Sequence, residues 1–312
     1  MLEITCSGTP YEIGFRHGKE AADLIQGSLD FYKTYFLKKS NLAWAEASEV
    51  AQKYLPFLAK YVPQLVEEMR GIADGAKVDF LSILALNTRS EISMGMMDDG
   101  CTSVAWQTQE FSTAGQNWDW EDPQKERLVL MHINPSQDED GHKPKVSQVT
   151  EAGIIGKSGI NSSGVGVFLN AIRARGINFN GIPIHLALRH ALEMSSRLEA
   201  VEKLSSLGFG TSGHIMIADI SGATSLEFTH VDVVRMEMVD GQIAHTNHFL
   251  AKHVVEAPKS VDLPDSVSRM KRIATLLREG NSQLIEELTA REAVEKMLED
   301  EERTSNSNKS KE

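Results

Sequence analysis

The chain has 312 residues, of which 41% are hydrophobic and 24% are charged, a composition typical of globular proteins and unlike that of disordered or fibrous chains. Its net charge of −12 argues against an electrostatic nucleic-acid binder, and two cysteines can build neither a disulfide framework nor a four-sulfur zinc site. No segment approaches the ~20 apolar residues that cross a bilayer, and the first residues do not form a secretion signal. We therefore expect a soluble intracellular protein with a large core and with no nucleic-acid or membrane partner.

The first hundred residues are predicted to be mostly helical. Thr9 begins a capping box, and the amphipathic pattern after it continues to about residue 39. A further helix begins near Pro63 and is expected to end at Gly75, because glycine often follows the last helical turn. Asp79 is placed to cap the next helix.

After Cys101 the pattern changes to short strands separated by polar turns. Strands are predicted over 101–107, 116–120, 128–133, 214–219, 225–229, 233–239 and 242–248, and a strand–turn–strand unit over 159–167. Helices are predicted over 183–194, 197–207 and 264–299, followed by a polar, disordered tail at 300–312. This order of elements indicates an α+β fold in which helices cover sheets.

Nine separated motifs, in a fixed order, resemble those of one known family. They are Gly8–Gly14 with His17-Gly18, Glu67–Gly75, Asp79–Asn87, Asp99–Ser103, Gly115–Asp119, Gly159–Asn170, Gly181–His185, His245–Phe249 and Pro264–Arg269. With them the chain resembles the acyl-coenzyme A:6-aminopenicillanic-acid acyltransferase (isopenicillin-N acyltransferase) family of self-processing N-terminal-nucleophile hydrolases. The resemblance extends over about residues 8 to 275.

The resemblance implies a four-layer αββα sandwich that cuts itself between Gly100 and Cys101. The expected parts are an N-terminal helical region (1–100), which stays bound as a heterodimer partner, a catalytic region (101–299) and the tail (300–312). The chemistry of the bond is suitable, because glycine has no side chain to block attack on its carbonyl. The α-amine released at Cys101 would have a pKa of about 7.7–8.0 and could serve as the base for its own thiol.

Four further site residues follow from the resemblance. Asp119 is expected to orient the α-amine, and Asn247 is expected to stabilise an oxyanion. Arg269 would lower the thiol pKa or pair with Asp119, and the neighbouring Ser268 is a candidate substrate contact. A surface aspartate, a structural asparagine and a helix-surface arginine are the alternative interpretations of the first three.

The predicted activity is acyl transfer through a Cys101 thioester, from an acyl-coenzyme A or an amide donor to an amine acceptor or water. Penicillin-nucleus acylation is the activity that the resemblance implies. An amide hydrolase and an inactive, C-terminally truncated homologue are the alternatives. No metal or cofactor is predicted, and acyl-coenzyme A enters only as a possible substrate. A papain-like triad with His245 and Asn247 lacks the local signature of that class.

The C-terminal end departs from the family pattern. No apolar alternation follows Leu298, so the sandwich is expected to be short there and to leave an open sheet edge. The final tripeptide, Ser310-Lys311-Glu312, differs from the Ser-Lys-Leu signal for peroxisomal import. A cytoplasmic location is therefore predicted, with a peroxisomal one as the alternative that the resemblance suggests.

Overall fold

The computed structural model describes residues 1–93, 100–137, 143–254 and 264–283. Its helices are α1 (Pro10–Glu20), α2 (Ala22–Ser40), α3 (Trp44–Gln52), α4 (Leu55–Tyr61), α5 (Pro63–Ala76), α6 (Phe80–Asn87), α7 (Arg89–Ile92), α8 (Asp122–Lys125), α9 (Ile184–Ala191), α10 (Arg197–Leu207) and α11 (Pro264–Gln283). Its strands are β1 (Leu2–Gly8), β2 (Gly100–Gln107), β3 (Ser112–Asp119), β4 (Leu128–Pro135), β5 (Val146–Glu151), β6 (Ser158–Asn161), β7 (Gly166–Ala171), β8 (Gly213–Asp219), β9 (Gly222–Phe228), β10 (Val233–Glu237) and β11 (Gln242–His245). The predicted tail and the predicted helix beyond residue 283 lie outside the described residues.

The strands form two stacked sheets of unequal size. The larger has eight strands in the order β1-β4-β5-β6-β7-β8-β9-β10, and the smaller has three in the order β11-β2-β3. Strand alternation supplies both faces of the larger sheet: Ile215 and Ile217 of β8 pack on the main core, while Met216 packs against Ala105 of the smaller sheet. The period of two in the sequence thus produces a sheet that is buried on both faces.

Helices cover the outer face of each sheet. The main core joins residues of β1, β4 and β8 to residues of α1, α2, α5, α6, α9 and α10. On the other side, Ile273 and Leu277 of α11 pack against Val104 and Trp106 of β2. The layer order is therefore αββα, and the predicted four-layer α+β sandwich is confirmed. No helix within the described ranges combines the length and apolarity needed to span a membrane.

Helices α1 and α5 cross at very short distance, and this explains a glycine whose role the sequence pattern misjudged. Helix α5 does not end at Gly75 but continues to Ala76, with Lys77 as its left-handed cap at φ 57°. A Cβ atom on Gly75 would lie 2.3 Å from the backbone oxygen of Phe15. Glycine is needed at this position because two backbones meet there. The predicted capping box at Thr9 is confirmed, with its backbone N–H donating to Glu12.

A buried polar cluster joins the first hundred residues to the rest of the chain. The carboxylate of Glu151, at the end of β5, accepts hydrogen bonds from Arg89 at 2.9 Å, Tyr32 at 2.6 Å and Gln124 at 2.7 Å. The side chains of Arg89 and Glu151 are 1% and 0% exposed. Two of these donors precede Cys101 and two members follow it, so a cut at that point would leave the cluster intact.

The cluster makes stability depend on pH. Burial by itself would raise the pKa of the Glu151 carboxyl, but the charges of Arg89 and Lys157 outweigh it and lower the pKa from 4.5 to about 2. A carboxylate with a lowered pKa in the folded state stabilises the fold above its unfolded pKa. That stabilisation is therefore complete above about pH 4.5 and is lost as the pH falls toward 2.

We predict that Glu151→Gln lowers the free energy of unfolding at pH 7 by roughly 3–5 kcal/mol, because it leaves Arg89 buried without its counter-charge. The variant should also lose less stability than wild type between about pH 4.5 and pH 2. Urea unfolding over a pH series measures both effects. Glu202→Gln, on the exposed face of α10, is the matched control and should change neither quantity. An acid slope equal to that of wild type in Glu151→Gln would contradict this assignment.

Candidate active site

The candidate site forms at the start of β2, where β11 no longer pairs with it. Strand β11 pairs with β2 only as far as His245, which lies opposite Ser103, so the pairing stops before Cys101. Two side chains take the place of the missing strand. The backbone N–H of Cys101 donates to Oδ1 of Asn247 at 2.8 Å, and Nη1 of Arg269 donates to the Cys101 carbonyl oxygen at 2.6 Å. The backbone of Cys101 is thereby fixed at both polar atoms.

Arg269 connects Cys101, Thr102, Asn247 and Asp265 through one planar guanidinium. Besides Cys101, Nη1 donates to Oγ1 of Thr102 at 3.0 Å, and Nη2 donates to Oδ1 of Asn247 at 2.8 Å. Its Nε donates to Asp265, one turn earlier on α11, at 2.9 Å. Such a fork can serve several acceptors at once, which an ammonium group on a flexible stem does not do in fixed geometry. At 5% exposure, Arg269 is a buried site residue and not a surface arginine.

Both polar atoms of the Asn247 side chain, Oδ1 and Nδ2, make hydrogen bonds. Its Oδ1 accepts from Cys101 and Arg269, and its Nδ2 donates to the carbonyl oxygen of Ala171 at 2.9 Å. Its own backbone N–H donates to Oγ of Ser266 at 2.7 Å. Because two donors point at Oδ1, the orientation of the amide is unambiguous. Among the described residues Nδ2 makes this one hydrogen bond, so its second N–H can serve a further acceptor.

Asp119 lies on the other side of Cys101, at the end of β3. It pairs with Gly100 across the two strands, and its side chain is exposed. A Cβ atom on Gly100 would lie 3.0 Å from Oδ2 of Asp119 and 3.2 Å from its Cβ. The carboxylate therefore covers the residue that precedes Cys101, and a side chain at position 100 would force it aside.

The Cys101 side chain points into the sandwich. Ser103 and Ala105, two and four residues further along β2, contact the larger sheet, so Cys101 shares their face. It is 1% exposed and pairs with Trp118 of β3. Behind this ring, Nζ of Lys157 lies 3.6 Å from the ring centroid. The thiol is thus in a closed interior with a cation beyond the adjacent indole.

Two further residues considered from the sequence, Ser268 and His245, have other partners. Ser268 is exposed on α11, and its hydroxyl donates to the Asp265 carbonyl oxygen at 2.9 Å. The two ring nitrogens of His245 lie 2.7 Å from the Thr246 carbonyl oxygen and 2.9 Å from Oε1 of Glu227. Both are thus engaged by groups other than the Cys101 thiol. Within the described ranges, no group of three histidine, cysteine or acidic residues could hold a metal ion.

Cys6, the second cysteine, has a different environment. It is fully buried in β1, and burial, followed by the negative charge of Glu68, raises its thiol pKa to about 12. A thiol of this kind is inert as a nucleophile because the thiolate is the reactive form. The two cysteines thus occupy chemically distinct sites.

Sequence reasoning missed two residues that build the site. Oγ of Ser266 accepts from the Asn247 backbone N–H and lies 2.7 Å from Nδ1 of His248. Oγ1 of Thr102 accepts a hydrogen bond from Arg269. A signal for Ser266 was present, because it stands three residues before Arg269 on a helix and so shares its face. Thr102 lies within the Asp99–Ser103 motif, but its contact with Arg269 could not be predicted from that motif.

Comparison with known proteins gives an independent result. A family model described as acyl-coenzyme A:6-aminopenicillanic acid acyl-transferase matches residues 106–312. The 40 kDa form of acyl-coenzyme A:6-aminopenicillanic-acid-acyltransferase from Emericella nidulans is 39% identical to this chain over 282 residues. That alignment covers 89% of this chain and 77% of the relative.

Solved structures give weaker matches. A mutant of the conjugated bile acid hydrolase from Clostridium perfringens is 16% identical, covers 64% of this chain and 78% of its own, and has a TM-score of 0.46. Penicillin V acylase from Agrobacterium tumefaciens is 13% identical, covers 59% and 50%, and has a TM-score of 0.28. The fold assignment therefore rests on the observed layer order and not on these superpositions.

The family match covers Asp119 of β3, Asn247 just after β11, and Arg269 of α11. The alignment with the Emericella nidulans protein extends over most of both chains. The chain therefore belongs to the acyl-coenzyme A:6-aminopenicillanic acid acyltransferase family of enzymes.

Proposed function

We propose that this chain is an acyltransferase whose nucleophile is Cys101, exposed as a new N-terminus by self-cleavage after Gly100. The observation that carries the proposal is a pair of hydrogen bonds to the backbone of Cys101. Its N–H donates to Oδ1 of Asn247 at 2.8 Å, and its carbonyl oxygen accepts from Nη1 of Arg269 at 2.6 Å. These contacts come from residues that follow Cys101 in the chain. The nucleophile would therefore keep its position after the preceding segment is cut away.

The cleavage step balances without any outside reactant except water. The Cys101 sulfur attacks the Gly100 carbonyl carbon, a C–S bond forms, and the C–N bond of the peptide breaks. The departing nitrogen takes the proton that the thiol gives up and becomes the α-amine of Cys101. Water then hydrolyses the thioester and leaves a Gly100 carboxylate and a free thiol. The products are Met1–Gly100 and Cys101–Glu312.

The observed contacts suggest a role for each neighbour in the processed enzyme. The new α-amine keeps Oδ1 of Asn247 as its acceptor and serves as the base for the thiol. The Asp119 carboxylate, which lies against Gly100 in the uncut chain, then orients that amine. The second N–H of Asn247 is the donor available to an oxyanion, and Arg269 keeps the strand start fixed.

The acyl group would pass from a donor thioester to Cys101 and then to an amine. The name of the Emericella nidulans relative indicates acyl-coenzyme A as the donor and 6-aminopenicillanic acid as the acceptor. Water competes with the amine for the same thioester unless the site excludes it. Hydrolysis of an amide donor is therefore the second activity that this site supports. The cleaved fragment stays bound because the Glu151 cluster and the main core span the cut.

We predict that the purified protein runs as two bands on a denaturing gel and that the larger fragment begins Cys-Thr-Ser-Val. Cys101→Ala removes the attacking sulfur and should remain one band. Cys6→Ala is the matched control, since its thiol is buried in β1 away from the site, and it should still be cut. An intact wild-type chain, or cleavage in Cys101→Ala, would contradict the proposal.

The substrate is tested with phenylacetyl-coenzyme A and 6-aminopenicillanic acid added to the cleaved protein. Formation of the acylated penicillin nucleus would support acyl transfer. Release of free phenylacetate with no acylated product would instead support hydrolysis. Cys101→Ala should form neither the acylated penicillin nucleus nor free phenylacetate.

We predict that Arg269→Lys slows self-cleavage by roughly 10- to 100-fold, because a lysine cannot replace the charge-assisted hydrogen bonds to Cys101 and Asn247 together. The fraction of cut chain against time after synthesis measures the rate. Arg278→Lys, exposed on the same helix, should cleave at the wild-type rate. Equal rates in the two variants would remove Arg269 from the mechanism.

A further inference from the structure

A second cluster of buried charged side chains lies behind the segment that carries Asn247. At its centre is Glu227 of β9, whose side chain is 0% exposed. Its carboxylate accepts from Nε2 of His245 at 2.9 Å and from Nε2 of His253 at 3.0 Å. It also accepts from the backbone N–H groups of Leu250 at 2.8 Å and Ala251 at 3.3 Å. One carboxylate thus meets four N–H donors from a nine-residue segment, 245–253.

Each of the two histidines has an oxygen atom at both ring nitrogens. His253 has a carboxylate at each ring nitrogen, Glu227 at one and Asp232 at the other, both at 3.0 Å. Nδ1 of His245 lies 2.7 Å from the Thr246 carbonyl oxygen. Glu227 is the buried carboxylate that the two rings share.

The Glu227 carboxyl is stabilised in its charged form. Burial by itself would raise its pKa, but the hydrogen bond and charge of His245, with the Leu250 and Ala251 amides, lower it below its ordinary value. His214 stacks on His245 with ring centroids 3.7 Å apart, and burial and the adjacent charge lower the pKa of His214. His214 thus joins the same buried cluster through the ring of His245.

The same cluster also contacts β2, the strand that carries Cys101. Oδ1 of Asn170 accepts from the hydroxyl of Ser103 at 2.7 Å and lies 2.9 Å from Nδ1 of His214. Its Nδ2 donates to the His245 carbonyl oxygen at 3.2 Å. His245 is therefore tied both to Glu227 and, through Asn170, to the residue two places after Cys101.

Asn247 sits between the two points at which Glu227 holds the chain. His245 precedes it by two residues and Leu250 follows it by three, and both donate to the same carboxylate. Strand β11 has already ended, so no strand pairing fixes this segment. We propose that Glu227 is a positioning residue that holds segment 245–251 and so aims Oδ1 of Asn247 at the backbone N–H of position 101. The role of this contact in catalysis rests on the proposed function.

Glu227→Gln tests the proposal because it keeps the shape and removes the charge. An amide would turn an NH2 group toward N–H donors and leave some of them without the carboxylate oxygen that they share. We expect self-cleavage to slow by about tenfold or more. Glu202→Gln, which removes an equally negative but exposed side chain, should cleave at the wild-type rate.

Backbone hydrogen exchange separates positioning from the chemistry. It is measured in Cys101→Ala, which cannot cut itself, with and without Glu227→Gln. We expect exchange at least about tenfold faster over residues 245–251 and at the amide of position 101, and no change in β4. Faster exchange over 245–251 with no change at position 101 would overturn the proposal, and so would no change over 245–251.

Glu227→Gln could destabilise the whole protein, in which case exchange would also rise in β4. A milder variant then tests the proposal. Asp232→Asn removes the outer partner of His253 at a side chain that is 20% exposed and leaves Glu227 in place. Exchange should then rise over 250–254 and, more weakly, at position 101, and an unchanged position 101 would count against the proposal. If the wild-type chain is never cut, the proposed function fails, while the exchange experiment still decides the role of Glu227.

Discussion

The arrangement of the candidate site depends on one constraint, the pair of hydrogen bonds by which Asn247 and Arg269 fix the backbone of Cys101. Strand pairing cannot provide it, because β11 stops opposite Ser103. A side-chain amide and a guanidinium instead accept from the N–H and donate to the carbonyl oxygen. A strand partner would have buried both groups in a regular ladder. Side chains instead satisfy both polar atoms at the start of β2 without a strand continuing beside it.

The layers of the fold supply the other requirements. The smaller sheet turns the Cys101 thiol toward the larger sheet, and α11 brings Arg269 to the outer side of the same strand. Two buried carboxylates, Glu151 and Glu227, organise separate parts of the molecule. The first ties the N-terminal hundred residues to the rest, and the second holds the segment that carries Asn247.

Local patterns predicted most of the elements, and tertiary contacts explain the exceptions. Helix α10 has the predicted bounds because Ser196 caps it and Gly208 follows it. Strand β11 was expected to reach residue 248 but ends at His245, because the N–H of Asn247 is bound by Ser266 and not by a strand. Strand β5 was not predicted, since polar side chains such as Gln148 occupy its buried positions. In the site, motifs singled out Cys101, Asn247 and Arg269, whereas contacts such as those of Glu227 join residues whose proximity only the folded sheets create.

The intact mass of the purified wild-type protein under denaturing conditions tests the central claim most directly. If Cys101 becomes an N-terminal nucleophile, two masses should be found, matching Met1–Gly100 and Cys101–Glu312, and together they should exceed the uncut chain by one water molecule. A single mass equal to the full 312-residue chain would contradict the account. A pair of masses that places the cut at any other bond would contradict it equally.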